Sequence, residues 1–333
     1  MSPDGTSLGS GEEFDRIREF LAGAPALHPG VLLGPGDDAA IIAPDLVIST
    51  DLSVEGIHFR LDWLSPREAG ARATEAALSD LAAMGAEPIG VLVSVGAASR
   101  EPATEAMEGV KAAVTSHEAC LLGGDLTRSP GPLFLDVVAV GRASTPLLRS
   151  GARVGDELWV TGVLGGAAGA VASWSAGVEP SHALRVAFTE PRARITEARW
   201  LLDRFPVRAG LDLSDGLAGD TGHLAAASGV GVLLDEGAIP LHPELAPGHP
   251  RSGPTSLELA LHGGEDYELL LVIQPGGVGP EGVEEFRESF DLPFSRIGRV
   301  TGGAGVHLAP AHGGDVVRLR RGGFDHFGER KGP

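Results

Sequence analysis

The chain has 333 residues, 43% of them hydrophobic and 5% aromatic, with 49 glycines and 24 prolines. It is too long for one ordinary hydrophobic core and too apolar for disorder, so two domains of mixed helix and strand with many tight turns are expected. A formal net charge of −19 opposes binding of a phosphodiester backbone, and a phosphorylated ligand needs cations between itself and the protein.

The first twelve residues show no basic segment followed by an apolar one, so no signal peptide is expected, and no apolar run is long enough to span a bilayer. The expected location is cytoplasmic, with no membrane and no nucleic acid as partner. Ser10-Gly11-Glu12-Glu13 is a capping-box pattern that predicts a helix with Phe14, Ile17, Phe20 and Leu21 on one face and a stop at Gly23. A Gly/Pro-rich loop runs on to Gly36. Ala39–Ile42 and Leu46–Ser49 are short apolar runs of β type. Ser65-Pro66-Arg67-Glu68 is a second capping box with proline at the first helical position, and the Ala-rich helix it opens runs to Met84, with Gly85 as its stop. A strand at Ile89–Val95, a helix over about 102–118, a strand ending at Gly123-Gly124 and a strand at Phe134–Val140 follow. The lone cysteine, Cys120, excludes an intrachain disulfide, and its apolar neighbours predict a core position.

Arg149-Ser150-Gly151-Ala152 interrupts the pattern, and the domain boundary is placed there, giving domains 1–148 and 149–333. The second half predicts a strand at Glu157–Thr161 and a Gly/Ala-rich helix over about 165–175. A helix follows Pro191 as far as about Phe205. A brief strand at Leu211–Leu213, a helix at about Leu217–Ser228, strands at Val230–Leu234 and Glu268–Ile273, and a Gly/Pro loop over Pro275–Gly282 complete it. Hairpin-like stretches within a loose alternation favour an α+β fold over a doubly wound one.

Five short segments repeat one design, an aspartate beside an apolar run or a glycine turn: Gly34-Pro35-Gly36-Asp37-Asp38, Ser49-Thr50-Asp51, Leu78-Ser79-Asp80, Gly123-Gly124-Asp125 and Asp212-Leu213-Ser214-Asp215-Gly216. Gly263-Gly264-Glu265-Asp266 is a sixth acidic segment. Any one of them alone reads as ordinary turn chemistry. Asp80, Asp212 and Asp215 sit among apolar residues, where an unpaired carboxylate is costly. Carboxylates brought together repel unless cations are present, and Mg²⁺ is held by a few carboxylates together with water and substrate phosphates. There is no Walker P-loop, no Gly-rich dinucleotide fingerprint, no H-E-x-x-H and no paired cysteine spacing. A nucleotide would therefore be held by metals and scattered basic residues.

Taken in order, these segments together with Val54-Glu55-Gly56-Ile57-His58-Phe59, Arg149-Ser150-Gly151-Ala152 and Glu265-Asp266-Tyr267-Glu268 resemble the thiamine-monophosphate kinase family, of the aminoimidazole ribonucleotide synthetase-like ATP-binding superfamily. The resemblance runs from about Gly34 to Phe327. It implies a two-domain α+β fold whose N-terminal sheets pair into a barrel across a homodimer. It also implies ATP-dependent phosphorylation of thiamine monophosphate to thiamine diphosphate, by direct in-line transfer with several Mg²⁺ ions and no covalent or general-base residue. Matched position by position, it implies Asp37, Ser49, Thr50, Asp51, Asp80, Asp125, Asp212 and Asp215 as metal ligands. Gly124, Asp125, Arg149 and Ser214 become ATP contacts, and His58, Glu265 and Phe324 become contacts to thiamine. The chain departs from the family at Ser116-His117-Glu118, where a tyrosine is common, and carries Phe324 where the family often has tyrosine or tryptophan.

Overall fold

The second capping box forms as its sequence predicts. In the computed structural model, which describes residues 12–22, 25–245 and 254–319, the Ser65 hydroxyl accepts from the Glu68 N–H and the Glu68 carboxylate accepts from the Ser65 N–H. The helix so opened, α2 (Pro66–Ala83), follows α1 (Glu12–Leu21) in chain order. Its side chains are small enough to be covered on every side, and Gly70, Ala73, Ala77, Leu78, Leu81 and Ala82 are all buried. Helix α3 (Arg100–Ser116) crosses it at backbone contact. A Cβ on Gly70 would lie 1.9 Å from the Ala106 carbonyl oxygen, and one on Gly109 1.9 Å from that of Arg67. Only glycine fits this crossing. The first capping box and the Gly23 stop fall outside the described residues, as does Phe324.

Helix α2 lies between two sheets. The first has the order β1 (Val31–Leu33), β2 (Ala40–Ile42), β3 (Leu46–Val54), β6 (Phe134–Arg142), β4 (Glu87–Ala97), β5 (Cys120–Arg128). All neighbours are antiparallel except β4 and β5. Strand alternation divides its faces. Val47, Val93, Leu135, Val137 and Ala139 point to the α2 side and join the core, while Leu52 and Leu92 on the other face are exposed.

The second sheet has the order β13 (Val317–Arg318), β12 (Gly305–Ala309), β9 (Gly231–Asp235), β11 (Phe294–Thr301), β7 (Glu157–Thr161), β10 (Leu269–Ile273), β8 (Val207–Asp212), with β9 and β12 its one parallel pair. Both faces are covered. Leu269, Leu271 and Ile273 belong to the core shared with α2, while Leu270 and Val272 belong to a second core with α7 (Leu217–Ser228). The unbroken apolar run of β10 reflects that double burial. Both sheets are mixed and mainly antiparallel, so the α+β expectation is met. The β7 and α7 spans match the sequence reading.

Several expectations need correction. Strand β1 and the start of α9 (Pro280–Phe290) fall in segments read as loops. Pro280 takes the first helical turn, where its missing N–H costs nothing. Helices α5 (His182–Thr189) and α8 (Ser256–His262), and strands β11 to β13, were not predicted. Strand β5 runs four residues beyond Gly124, and all nine of its residues are exposed, so Cys120 is an edge-strand thiol and not a core residue. The apolar run around it fits a strand that lacks a covering layer here, which sequence pattern cannot tell from a buried one.

Candidate active site

The aspartates from distant segments meet where α2 touches both sheets. Asp80 and Ser79 occupy the last turns of α2. The Ser49 hydroxyl of β3 donates to Asp80 Oδ2, and the Ser79 hydroxyl donates to Asp212 Oδ2 at the end of β8, 2.6 Å away. Asp38, from the glycine-rich turn before β2, closes the group. Carboxylate oxygens of Asp38, Asp80 and Asp212 all lie within 4.8 Å of one another.

Asp38 stands in its motif without having been named a site residue, and the two adjacent aspartates are held differently. Both oxygens of Asp37 accept from the Arg149 N–H at 3.2 Å, and its Oδ1 also accepts from the Asp38 N–H at 3.1 Å. Asp37 thus ties the turn to the junction between the sheets. Asp38 is fully buried. Its Oδ1 accepts from Arg149 Nη2 at 2.6 Å and Nε at 3.2 Å, whereas its Oδ2 has no hydrogen-bond partner among the described residues. A buried carboxylate oxygen without a donor, facing two further carboxylates, is costly unless a cation completes it. The donor set is all oxygen, as a hard divalent cation such as Mg²⁺ requires.

Electrostatics agree with the geometry. Burial, then the neighbouring Asp38, pushes the Asp212 carboxyl up to about 7. Burial, then Asp212 and Asp38, holds Asp80 well above the usual carboxylate range. Asp37 is pushed up to about 7 by burial and by Asp38, and Asp51 to about 6 by burial and by Glu265. Burial works against the Arg149 cation, but Asp38, by charge and by hydrogen bond, more than offsets it and raises its pKa. Without a divalent cation such a site retains protons; with one it can release them.

A second group adjoins the first. Past Asp212 the chain turns through Ser214, which is exposed, and Asp215 into α7, where Asp220 is buried. Ligand atoms of Asp215, Asp220 and His223 lie within 4.8 Å of one another, and Asp220 Oδ2 accepts from the Asp215 N–H at 3.0 Å. Burial, then Asp215 and Asp212, raises the Asp220 carboxyl well above its usual range. Asp220 was missed, although it meets the criterion that singled out Asp80, an acid in an apolar helix.

Not every expected residue joins these groups. Asp51 points to the α2 side, where Glu265 and Arg72 act on it. The Thr50 hydroxyl is on the opposite face and donates to Asp136 at 2.7 Å. Leu52, Asp136, Ser94 and Asp125 are cross-strand neighbours in one row, which puts Asp125 on that same open face, on the edge strand after Gly124. His58 Nδ1 accepts from the Val54 N–H at 3.0 Å, which fixes the ring beside the end of β3. Glu265 sits in a turn held to the Asp212 segment by its own N–H, which donates to the Ser214 carbonyl at 2.8 Å. A buried Arg72 and the Tyr267 hydroxyl both donate to Glu265 Oε2. Arg72 was not singled out in the sequence, and Tyr267 stood in its motif without a role.

Comparison with known proteins places these features in context. The model of the AIR synthase related protein N-terminal domain matches residues 36–143, and that of the AIR synthase related protein C-terminal domain matches residues 153–309. The thiamine-monophosphate kinase of Rhodopirellula baltica is 33% identical over 301 residues, covering 86% of this chain and 89% of that one. The thiamine-monophosphate kinase of Salmonella typhimurium is 33% identical over 327 residues, covering 95% and 98%. Among solved structures, AaThiL complexed with AMPPCP and TMP superposes with a TM-score of 0.79 at 28% identity, over 96% of this chain and 97% of that one.

Proposed function

This chain belongs to the thiamine-monophosphate kinase family, and from that premise we propose that it transfers the γ-phosphoryl group of ATP to the phosphate of thiamine monophosphate, giving ADP and thiamine diphosphate. The bond between the γ-phosphorus and the β,γ-bridging oxygen breaks, and a bond from that phosphorus to an acceptor phosphate oxygen forms. The acceptor is a phosphate monoester with a second pKa of about 6, so it is mostly a dianion at neutral pH and needs no general base. The obstacle is the approach of two anions inside a strongly acidic protein.

The single observation that carries the reading is the buried group of Asp38, Asp80 and Asp212, whose carboxylate oxygens lie within 4.8 Å of one another and in which Asp38 Oδ2 has no hydrogen-bond partner among the described residues. These three carboxylates, with Ser49, Asp51 and Asp215 nearby, fit Mg²⁺. Bound there, the ions supply the positive charge that neutralises and aligns the phosphates for in-line transfer. Ser49 and Ser79 orient Asp80 and Asp212 through the hydroxyls they donate. Asp37 holds the turn that presents Asp38. Arg149 keeps Asp38 Oδ1 engaged, which leaves Oδ2 without a donor among the described residues, and its remaining N–H groups are contacts for ATP in this reading. Thr50, whose hydroxyl donates to Asp136, is on the opposite face of the first sheet, so a metal contact from it belongs with Asp125 and not with the Asp38 group.

We further propose a homodimer joined through the first sheet. Its open face and edge expose Leu52, Leu92, Leu121, Leu122 and Leu126, an apolar surface with no covering layer among the described residues. Gly124 and Asp125 lie on that edge, so nucleotide and metal contacts from them belong at the seam between subunits. The domain boundary falls between Leu148 and Arg149, in the stretch between the end of β6 and the start of β7. No helix among the described residues is long and apolar enough to cross a membrane. A cytoplasmic location accompanies a reaction that draws on ATP. The test is direct: incubate the protein with Mg²⁺, ATP and thiamine monophosphate and follow thiamine diphosphate by fluorescence after oxidation. Product is expected; none at saturating substrates removes the reading.

A further inference from the structure

Arg72 is 4% exposed, in the middle of α2, and reaches from the first half of the molecule into the second. Its Nη1 donates to the Phe188 carbonyl at 2.6 Å and its Nη2 to Glu265 Oε2. The guanidinium stacks over the Phe188 ring, 4.0 Å from the centroid, and lies 5.8 Å from that of Tyr267. The Tyr267 hydroxyl donates to the same Glu265 oxygen at 2.8 Å. Both donors therefore converge on Oε2, which leaves Oε1 as the oxygen a ligand can use.

The backbone around Glu265 is held at some cost. Glu265 and Tyr267 both have positive φ, 66° and 51°, a conformation that non-glycine residues adopt only when neighbours impose it. Gly264, with φ 67°, packs so closely on the Ser214 carbonyl oxygen that a Cβ there would approach to 2.4 Å. The Glu265 carboxylate is thus fixed relative to the turn that carries Asp212 and Asp215. Arg72 also faces Asp51 and offsets part of the repulsion between Asp51 and Glu265.

We infer that Arg72 is a positioning residue for acceptor recognition: through its bond to Glu265 Oε2 it presents Oε1 to a hydrogen-bond donor of the acceptor's thiamine part. The inference rests on the proposed function together with the contact between Glu265 and thiamine that the family resemblance implies. Lysine cannot replace it. An ammonium is a point charge, and it cannot stack on Phe188 while donating in plane to two acceptors.

The experiment measures KM and kcat for both substrates, and thiamine monophosphate binding by calorimetry, in wild type, R72K, R72M, E265Q and R72M/E265Q, with thermal unfolding of each. R72K is expected to raise the acceptor KM by about ten- to hundredfold, the worth of a charge-assisted hydrogen bond. The KM for ATP should stay within about threefold, the size of effect expected at a site with no shared partner. In the E265Q background, R72M should add less than about threefold to the acceptor KM, because the two residues act as one unit. Equal loss in both backgrounds, or a parallel fall in ATP and acceptor parameters with lowered melting, would overturn the inference and make Arg72 a structural tie. Should R72M fail to fold, the R72K split between the two KM values decides alone. Wild type that binds thiamine monophosphate without phosphorylating it would overturn the kinase reading, while the binding series still tests Arg72. Wild type that does not bind it would overturn both.

Discussion

Replacing Asp212 with asparagine separates a ligand carboxylate from a structural one. With the oxygens of Asp38, Asp80 and Asp212 within 4.8 Å of one another, each ionised pair repels by about 3.5 kcal/mol at an effective dielectric of about 20. Arg149 relieves this at Asp38 but has no hydrogen bond to Asp80 or Asp212 among the described residues. Asparagine keeps an oxygen to accept from Ser79, so the 2.6 Å contact survives. Without metal, at about pH 8, D212N should be more stable than wild type by about 2 kcal/mol, the repulsion less an allowance for imperfect amide packing. The pH dependence has a definite sign. Asp212 is raised from 3.8 to about 7 in the folded protein, so between those values the native state holds a proton that the unfolded state lacks. Wild-type stability from this group is then full at low pH and is lost as pH rises through about 7. The advantage of D212N should shrink towards about pH 4. With saturating Mg²⁺ the order should reverse, because wild type gains binding free energy that the variant forfeits. Thermal unfolding with chelator and with Mg²⁺, at both pH values, reads all four cases. A D212N protein less stable than wild type in chelator at about pH 8 would refute the reasoning and make Asp212 part of a structural network.

Asp37 and Asp38 should behave differently. D38N should weaken Mg²⁺ binding at least about tenfold by removing an anionic ligand, whereas D37N should keep the Mg²⁺ response, because the amide oxygen still accepts from the Arg149 and Asp38 N–H groups. Calorimetric Mg²⁺ titration distinguishes them, and equal loss of affinity would contradict the assignment. Glu75 accepts from the His117 ring and the Ala193 N–H, both at 2.8 Å, inside the contact between the two halves. E75A leaves two buried donors unpaired and should cost about 3 kcal/mol in denaturant unfolding; a loss below about 1 kcal/mol would show that water replaces the carboxylate. Leu126, 67% exposed on β5, should tolerate L126E as a folded protein that sediments as a monomer, while wild type sediments as a dimer. A monomeric wild type would end the dimer proposal.

The parts of the fold legible in the sequence were those with local signals. The Ser65 capping box, the Ala-rich run of α2, and the limits of β7 and α7 depend on caps and periodicity. The elements missed depend on partners elsewhere in the chain: β1 and β13 are short edge strands defined by one neighbour each, and α9 begins at a proline that also reads as loop. The site divides in the same way. Asp80 and Asp212 announced themselves by apolar surroundings, and the structure sets both in the central triad. Asp37 and Asp38 are adjacent, and only backbone direction decides that one oxygen pair meets N–H groups while the other carboxylate turns inward. Arg72 belongs to no motif, and Tyr267 stands in the Glu265-Asp266-Tyr267-Glu268 segment without a role of its own. Their role appears only when α2 and the Glu265 turn, distant in sequence, are brought together. Cys120 shows the converse failure, since its neighbours are as apolar as a core strand and yet lie on a sheet edge.

In the proposed reaction a cluster of carboxylates lets ATP pass its terminal phosphoryl group straight to a phosphate acceptor. Supplying γ-labelled ATP with thiamine monophosphate, with and without Mg²⁺, tests this most directly. The label should appear in the terminal phosphate of thiamine diphosphate, only with the metal present, and none should remain on the protein after rapid quenching. Label trapped on the enzyme, or released solely as inorganic phosphate, would contradict the account.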